Sequence, residues 1–327
     1  MTDDVVTVLA PARLHLGFLD PGGSLGRRFG GVGLAIDAPA TTLRIARAAR
    51  DTVTGEEAER ARAYLGLMRE ALGLTGRHAL TVDTVMPAHA GFGSGTQLAL
   101  AVAGGLRRLE GLPPDPAADA ALLGRGHRSG LGVAFVEGGG VAVDGGKGAS
   151  EEPPPLIARL PFPEAWRVIL VMDPRGAGFH GQAELDAFAT LPPFPVEHAG
   201  RICRLVLMQA LPGLAETDLH AFGSAIGEIQ AMVGSHFAPA QGGVFTSPRV
   251  AAACGWLAAN GAHGIGQSSW GPTGFAFAES RASAESLVAR LAETGLAEAL
   301  DVRVVGGRNR GIDIGAAPAV RLRAGTG

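Results

Sequence analysis

A glycine-rich segment at residues 87–100 joins a strand-like stretch to an apolar helix, and it constrains the fold more than any other feature. Its glycines permit a tight turn, because glycine adopts backbone conformations that other residues avoid. Its hydroxyl side chains lie beside the first N–H groups of the helix, which have no partners within the helix. A helix N-terminus carries partial positive charge, so the turn favours a bound phosphate or diphosphate, although a plain capped turn would show the same spacing. The predicted phosphate-binding residues here are Gly91, Gly93, Ser94, Gly95 and Thr96.

The composition is typical of a globular protein with two domains. Of 327 residues, 46% are apolar and 18% are charged, which is enough to bury a large core. A net charge of −3 argues against nucleic acid as a partner, since binding its backbone requires a concentrated basic surface. Cys203 and Cys254 lack the spacing of a zinc site or a disulfide framework. The acidic start and the absence of a long apolar run predict a cytoplasmic protein that does not bind membranes.

Lys147 is the only lysine among 28 basic residues. A Walker A loop needs a lysine before its final serine or threonine, and a Schiff-base enzyme needs one in its pocket. Lys147 follows Asp144, Gly145 and Gly146 in a glycine turn, which suits neither role. Arginines are therefore the candidates for binding phosphate or carboxylate groups, because the guanidinium fork binds both in a bidentate manner.

The spacing of apolar residues predicts mixed strands and helices without regular βαβ repetition, which is typical of an α+β protein. Strands are predicted at residues 5–10, 14–19, 32–37, 41–47, 79–85, 167–172 and 302–305, with a strand-turn-strand at 265–277. Helices are predicted at residues 56–72, 97–109, 197–211, 218–233, 247–260 and 282–293. Three glycines at 138–140 predict a hairpin between strands at 133–136 and 141–143. A proline-rich linker at 149–155 divides the chain into predicted domains 1–155 and 156–327.

Three separated segments, residues 10–15, 87–94 and 271–276, resemble the superfamily of galactokinase, homoserine kinase, mevalonate kinase and phosphomevalonate kinase (GHMP). Their order and spacing span almost the whole chain. The resemblance implies an N-terminal α+β domain that carries the glycine-rich anion loop at residues 87–100 and a C-terminal ferredoxin-like domain. It also implies that this loop lies in the cleft between the two domains.

The chain departs from these kinases where phosphoryl transfer needs particular groups. Many of them have a Ser-Gly-x-Asp segment whose carboxylate orients or deprotonates the acceptor hydroxyl, and the matching place here ends in Gly132. Gly95 stands where these kinases have a serine that helps to hold magnesium. Arg13 stands where they have a lysine in the segment that matches residues 10–15. We therefore expect phosphate binding combined with different chemistry. An ATP-dependent kinase and a non-catalytic phosphometabolite sensor are the alternatives.

Residues 13–20, 93–100, 126–146 and 266–273 more closely resemble the β-ribofuranosylaminobenzene 5′-phosphate synthases of (tetrahydro)methanopterin biosynthesis. The resemblance implies a decarboxylating phosphoribosyltransferase that joins phosphoribosyl pyrophosphate (PRPP) to 4-aminobenzoate, with Mg²⁺ as the expected cofactor. Loss of carbon dioxide restores aromaticity at the attacked ring carbon, so no base has to remove a proton there. The missing acid at Gly132 agrees with this chemistry. Such a chain can also form a homodimer.

The resemblance assigns further residues to the site. The predicted catalytic residues, which bond phosphate oxygens, ribose, metal or the leaving group, are His15, Asp20, His89 and Arg128. Arg13 joins the phosphate-binding residues. The predicted substrate-binding residues are Gln97, Ser129, Arg175, His180, Gln267, Ser268, Ser269, Trp270 and Thr273. Plainer roles stay open at this point: a surface ion pair of Arg13 with Asp20, a core position for His15, and a domain-seam position for Trp270.

Overall fold

The structure is a computed structural model that describes residues 5–150, 152–176 and 191–316. The strands are β1 (Val5–Asp20), β2 (Phe29–Ala48), β3 (Thr52–Gly55), β4 (Arg77–Thr84), β5 (Val141–Asp144), β6 (Leu156–Leu160), β7 (Arg167–Met172), β8 (His263–Gln267), β9 (Thr273–Ala278), β10 (Asp301–Val305) and β11 (Asp313–Ala316). The helices are α1 (Ala58–Ala71), α2 (Ser94–Leu109), α3 (Pro116–Leu122), α4 (Leu131–Glu137), α5 (Val196–Leu205), α6 (Leu211–Ala215), α7 (Leu219–Gln241), α8 (Pro248–Ala259) and α9 (Arg281–Glu293). A π-helical turn, Val206–Ala210, joins α5 to α6.

Within the described residues, the first sheet has seven strands. Five follow the order β11-β1-β2-β4-β3, and β5 pairs with both β2 and β6. Its centre is the long antiparallel pair of β1 and β2, in which Val8 faces Leu43 and Leu14 faces Leu34. Irregularities after Pro11 and after His15 interrupt this register. The predicted strands at 5–10 and 14–19 are therefore one continuous strand, because a β-bulge bends a strand without ending it.

The bend in β1 lets one strand serve two hydrophobic cores. Its first half contributes Val6, Val8 and Ala10 to a core shared with α1 and α2. Its second half contributes buried residues, among them Leu14 and Leu16, to a core shared with α7 and the second sheet. Residues 13–18 thus lie where the two halves of the molecule meet.

The second sheet is antiparallel, and the part of the chain that the structure describes contributes four strands to it, in the order β10-β7-β9-β8. Helices connect β7 to β8, α9 connects β9 to β10, and the resulting order is that of a ferredoxin-like domain. The expected α+β fold with a ferredoxin-like C-terminal part is confirmed. In the described residues, no helix combines the length and apolar character required to cross a membrane.

Two expectations for the middle of the chain need correction. Residues 131–137 form helix α4 instead of a hairpin strand, because Leu131, Ala134 and Phe135 bury one helical face against Ala35 and Ala142. The strand that follows, β5, pairs with β2 and β6. In addition, β6 and β11 both belong to the first sheet, so this sheet takes strands from beyond residue 155 and does not follow the predicted domain boundary.

Candidate functional site

A cavity of about 310 Å³ lies where the glycine-rich loop meets β1, the loop before α4 and the turn between β8 and β9. It is lined by Arg13, His15, Phe18, His89, Gly91, Gly93, Thr96, Gly124, Arg125, Gly126, His127, Arg128, Ser129, Ser269, Trp270 and Gly271. Both halves of the chain contribute to this lining, as expected for a phosphate-binding loop in the cleft between them.

The glycine-rich loop places the N-terminus of α2 at the cavity. Gly91 and Gly93 have φ angles of 90° and 74°, which glycine adopts without strain. Gly93 is the residue before the helix, and no side chain of the described residues caps it, so the expected serine or threonine cap is not formed. A Cβ atom at Gly93 would lie only 2.6 Å from Arg13 Nε. The loop therefore brings a helix N-terminus and a guanidinium group together at one end of the cavity, an arrangement that binds anions.

Ser268 fastens this loop to the rest of the site. Its hydroxyl is fully buried, accepts a hydrogen bond from the His15 backbone N–H (3.0 Å) and donates one to the Gly91 carbonyl (2.8 Å). The Arg13 backbone N–H donates to the Phe92 carbonyl at 3.2 Å. One serine from the second half of the chain thus fixes both β1 and the loop.

The cavity carries only positive or neutral polar groups among its described lining residues. Three arginines and three histidines contribute to the lining, and none of the described residues that line it is an aspartate or glutamate. A cleft lined by charges of one sign concentrates ligands of the opposite sign. The lining therefore favours a polyanion.

His15 forms the inner wall and is only 4% exposed. Burial, with the nearby charge of Arg13, lowers the pKa of its imidazole to about 3. The ring is neutral at physiological pH, so it can accept or donate a hydrogen bond but is a poor proton donor to a leaving group. Its Nε2 atom is buried and has no hydrogen-bond partner in the described part of the chain.

Aromatic side chains surround the His15 end of the cavity. The ring centroid of Phe18 lies 4.4 Å from that of His15. Trp270 is 2% exposed, and its ring centroid lies 4.3 Å from that of Phe237. This end therefore offers flat apolar surfaces of the kind that pack against a planar ring.

Asp144 supports the loop that carries Arg128. It is fully buried, and its carboxylate accepts hydrogen bonds from the Ser129 hydroxyl (2.9 Å) and from the backbone N–H groups of Gly130 (3.1 Å) and Gly146 (2.9 Å). Burial raises the pKa of Asp144, although these hydrogen bonds work in the opposite direction. The buried carboxylate holds the loop so that Ser129 lines the cavity.

The structure brings most of the predicted site residues together. Those that line the cavity are Arg13, His15, His89, Gly91, Gly93, Thr96, Arg128, Ser129, Ser269 and Trp270. Others lie in or behind its walls. Gln97 is buried and its side chain donates to the Gly132 carbonyl at 3.4 Å. Ser94 borders a separate small cavity, and Gln267 lines a small adjoining cavity of about 20 Å³. Thr273 is buried, and its carbonyl accepts a hydrogen bond from the Ser268 backbone at 2.9 Å.

Three predicted residues do not join this group. The carboxylate of Asp20 serves its own turn, where it accepts hydrogen bonds from the backbone N–H groups of Gly23 and Ser24 and from the Ser24 hydroxyl. Burial acts to raise the pKa of Asp20, but these hydrogen bonds outweigh it and lower the pKa. Arg175 borders a separate surface cavity beside α8. His180 lies outside the described residues.

Sequence reasoning missed three side chains that line the cavity, namely Phe18, Arg125 and His127. Arg125 and His127 alternate with Gly124 and Gly126, so a glycine-rich signal like that of the anion loop marks this segment as well. The signal for Phe18 is its position on β1, three residues after His15 and beyond the bulge.

Family models place the chain in the GHMP kinase superfamily. The model described as GHMP kinases N terminal domain matches residues 59–140, and the model described as GHMP kinases C terminal matches residues 210–296. The homoserine kinase from Cytophaga hutchinsonii superimposes with a TM-score of 0.69 at 20% identity, covering 96% of this chain and 98% of that chain. The mevalonate diphosphate decarboxylase from Staphylococcus aureus superimposes with a TM-score of 0.67 at 14% identity, covering 95% of this chain and 98% of that chain. The fold is therefore that of a GHMP kinase.

Closer relatives share sequence over nearly the whole length. The Archaeoglobus fulgidus protein named beta-ribofuranosylphenol 5′-phosphate synthase is 37% identical over 319 residues, covering 93% of this chain and 97% of the relative. The protein of the same name from Methanothermobacter thermautotrophicus is 32% identical over 326 residues, covering 92% and 96%. The chain belongs to the β-ribofuranosylphenol 5′-phosphate synthase family. The resemblance to this group of synthases, inferred above from separate segments, is confirmed.

Proposed function

We propose that this enzyme transfers the ribosyl phosphate group of PRPP to the ring carbon of a para-substituted benzoate, with release of diphosphate and carbon dioxide. The observation that carries the proposal is the two-ended cavity. One end joins the N-terminus of α2 to Arg13, and the other is bordered by His15, Phe18 and Trp270. A polyanionic donor fits the first end and an aromatic acceptor fits the second.

The basic end stabilises the leaving group. As the bond between the anomeric carbon and the diphosphate oxygen breaks, the diphosphate takes the electron pair and gains negative charge. Backbone N–H groups at the start of α2 and the guanidinium groups of Arg13 and Arg128 bind that charge. Groups already fixed in place before the reaction stabilise a developing charge without having to reorganise.

The aromatic end holds the acceptor for attack. The ring carbon that bears the carboxylate forms the new bond to the anomeric carbon, and the carboxylate then leaves as carbon dioxide, returning its electron pair to the ring. No proton is removed, and the described lining contains no carboxylate to remove one. Gly132 leaves no room for such an acid, because a Cβ atom there would lie 2.5 Å from the Thr96 methyl group.

The para substituent distinguishes two acceptors. An amino or hydroxyl group donates electron density to the attacked carbon, so 4-aminobenzoate and 4-hydroxybenzoate suit the same chemistry. We take 4-aminobenzoate as the proposed acceptor, and the phenol in the relatives' name favours 4-hydroxybenzoate as the second candidate. Comparing kcat/KM for the two acids decides between them.

Mg²⁺ is the expected cofactor, because this ion commonly accompanies diphosphate substrates. Within the described residues there is no group of three or more histidine, cysteine, aspartate or glutamate side chains arranged to hold a metal. We propose that Mg²⁺ arrives bound to the phosphate oxygens of the substrate, as this ion commonly does. A substrate with this much charge does not cross membranes unaided, so we place the reaction in the cytoplasm.

Carboxyl-labelled acceptor tests the proposal. Incubated with PRPP and either labelled acid, the enzyme should release labelled carbon dioxide and diphosphate in equal amounts. Attack through the para substituent would leave the label on the product, and an ATP-dependent kinase would leave the acid unchanged. Diphosphate release without carbon dioxide would overturn the assignment, as would a larger thermal stabilisation by ATP than by PRPP.

A further inference from the structure

The space in front of Gly95 is occupied by guanidinium groups from outside the glycine-rich loop. A Cβ atom at this position would lie 2.7 Å from Arg60 Nη2 and 3.5 Å from Arg125 Nη1. Arg60 comes from α1, and Arg125 comes from the loop that follows α3. The chain therefore holds two fixed positive charges where a loop side chain would otherwise extend.

Tyr64, the only tyrosine in the chain, holds these two arginines in place. Its hydroxyl accepts hydrogen bonds from Arg125 Nη2 and, at 3.5 Å, from Arg60 Nη2. The Arg125 guanidinium also lies 5.4 Å from the centre of the tyrosine ring, within range of a cation–π interaction. Since Tyr64 is only 7% exposed, the arrangement is fixed by packing.

The two arginines differ in how their charge is balanced. Arg60 forms an ion pair with Glu57 at 2.9 Å. Arg125 lines the cavity, and no described carboxylate lies within ion-pair distance of its guanidinium. Its Nε atom is buried and lacks a hydrogen-bond partner in the described part of the chain. A partly buried cation without a counter-ion is unfavourable, and an anion bound in the cavity would balance it.

We propose that Arg125 binds the diphosphate group of the substrate, and that Tyr64 and Arg60 position it. The inference rests on the proposed function, since the diphosphate is that of PRPP. Arg125 approaches the start of α2 at Gly95 and Arg13 approaches it at Gly93, so the leaving group is bound by guanidinium groups that come from separate elements. Because charge grows on the diphosphate during bond breakage, the contact is stronger in the transition state than before it.

Calorimetric titration of the full-length protein with inorganic diphosphate and Mg²⁺ tests the contact directly. The Arg125→Gln variant should bind diphosphate about tenfold or more weakly than wild type. Its kcat with PRPP should fall while the KM for the acceptor acid stays the same. Arg125→Lys should recover part of the binding, because it keeps the charge but loses the fork.

The positioning role is tested at Tyr64 with a control on the same helix. Tyr64→Phe keeps the buried ring and removes the hydroxyl, so it should lower kcat with PRPP about threefold or more while the KM for the acceptor acid stays the same. Arg62→Gln is the matched control, because Arg62 lies on α1, is exposed and donates a hydrogen bond to the Val53 carbonyl at 3.1 Å. This control should bind diphosphate like wild type.

The outcomes separate the inference from the proposed function. If wild type releases carbon dioxide while Arg125→Gln binds diphosphate as tightly as wild type, the inference is wrong and the proposed function stands. If wild type binds diphosphate but releases no carbon dioxide with either acid, the proposed function is wrong, and the titrations still decide the role of Arg125. Should Arg125→Gln fail to fold, Tyr64→Phe decides, and an unchanged kcat with PRPP overturns the inference.

Discussion

Replacing Ser268 by alanine should weaken both the fold and the anion site, because one hydroxyl joins three segments. The change leaves the His15 N–H without its acceptor and the Gly91 carbonyl without its donor. The N–H is buried, so losing its partner costs about 1–3 kcal/mol, whereas the partly buried carbonyl can turn to water and loses about 1 kcal/mol. We expect the free energy of unfolding to fall by about 2–4 kcal/mol.

The assay is urea denaturation combined with diphosphate titration, and Ser280→Ala is the control. Ser280 caps α9 on the exposed surface, where its hydroxyl accepts a hydrogen bond from the Ser283 backbone N–H (3.1 Å). Its replacement should cost about 1 kcal/mol and leave diphosphate affinity unchanged. Ser268→Ala should instead lose affinity as well, since the loop is no longer fastened. A Ser268→Ala protein as stable as wild type and with wild-type affinity would refute the reasoning.

Two further predictions concern the loop and the inner wall. Gly93→Val should abolish stabilisation by PRPP in thermal melting, because its side chain would displace the Arg13 guanidinium. Gly26→Val is the control. Gly26 has a similar φ of 82°, but a Cβ atom there would have no other atom within 4 Å, so this variant should keep the stabilisation by PRPP. The second concerns pH. His15 is neutral when folded and protonates near pH 6.5 when unfolded, so wild type should lose about 1.4 kcal/mol per pH unit as pH falls below 6.5 toward 3, and His15→Asn should lack this loss. Urea unfolding at pH 7 and pH 5 measures it, and equal losses in both proteins would contradict the pKa of about 3.

Helical periodicity predicts this fold well where one face of a segment is buried. The spacing of apolar residues at 56–72 predicts α1, which forms at Ala58–Ala71. At residues 131–137 the glycines that follow favour a turn, and local pattern alone gives the wrong element. The helix there depends on Leu131 and Phe135 packing against Ala35 of β2, a contact between segments that are far apart in the sequence.

The same distinction applies to the site. Glycine spacing predicts where an anion binds, because the requirement for a tight turn is local. It does not indicate which distant side chains reach that turn, so Arg125 and Tyr64 go unnoticed although they meet beside Gly95. Asp20 shows the converse. It lies close in sequence to the motif at residues 10–15, but its carboxylate accepts hydrogen bonds from the backbone of its own turn.

The return of β11 to the first sheet has a consequence for biosynthesis. β11 pairs with β1, and the Arg308 backbone N–H donates to the Ala35 carbonyl at 2.8 Å. Until residues 313–316 leave the ribosome, β1 is an unpaired edge, which is prone to join other chains. Pairing between segments so far apart is also slow, because a long loop must close first. A nascent chain of this protein therefore depends on β11 to cover the free edge of the strand that also carries Arg13 and His15, and β1 is paired on both sides only once residues 313–316 have been synthesised.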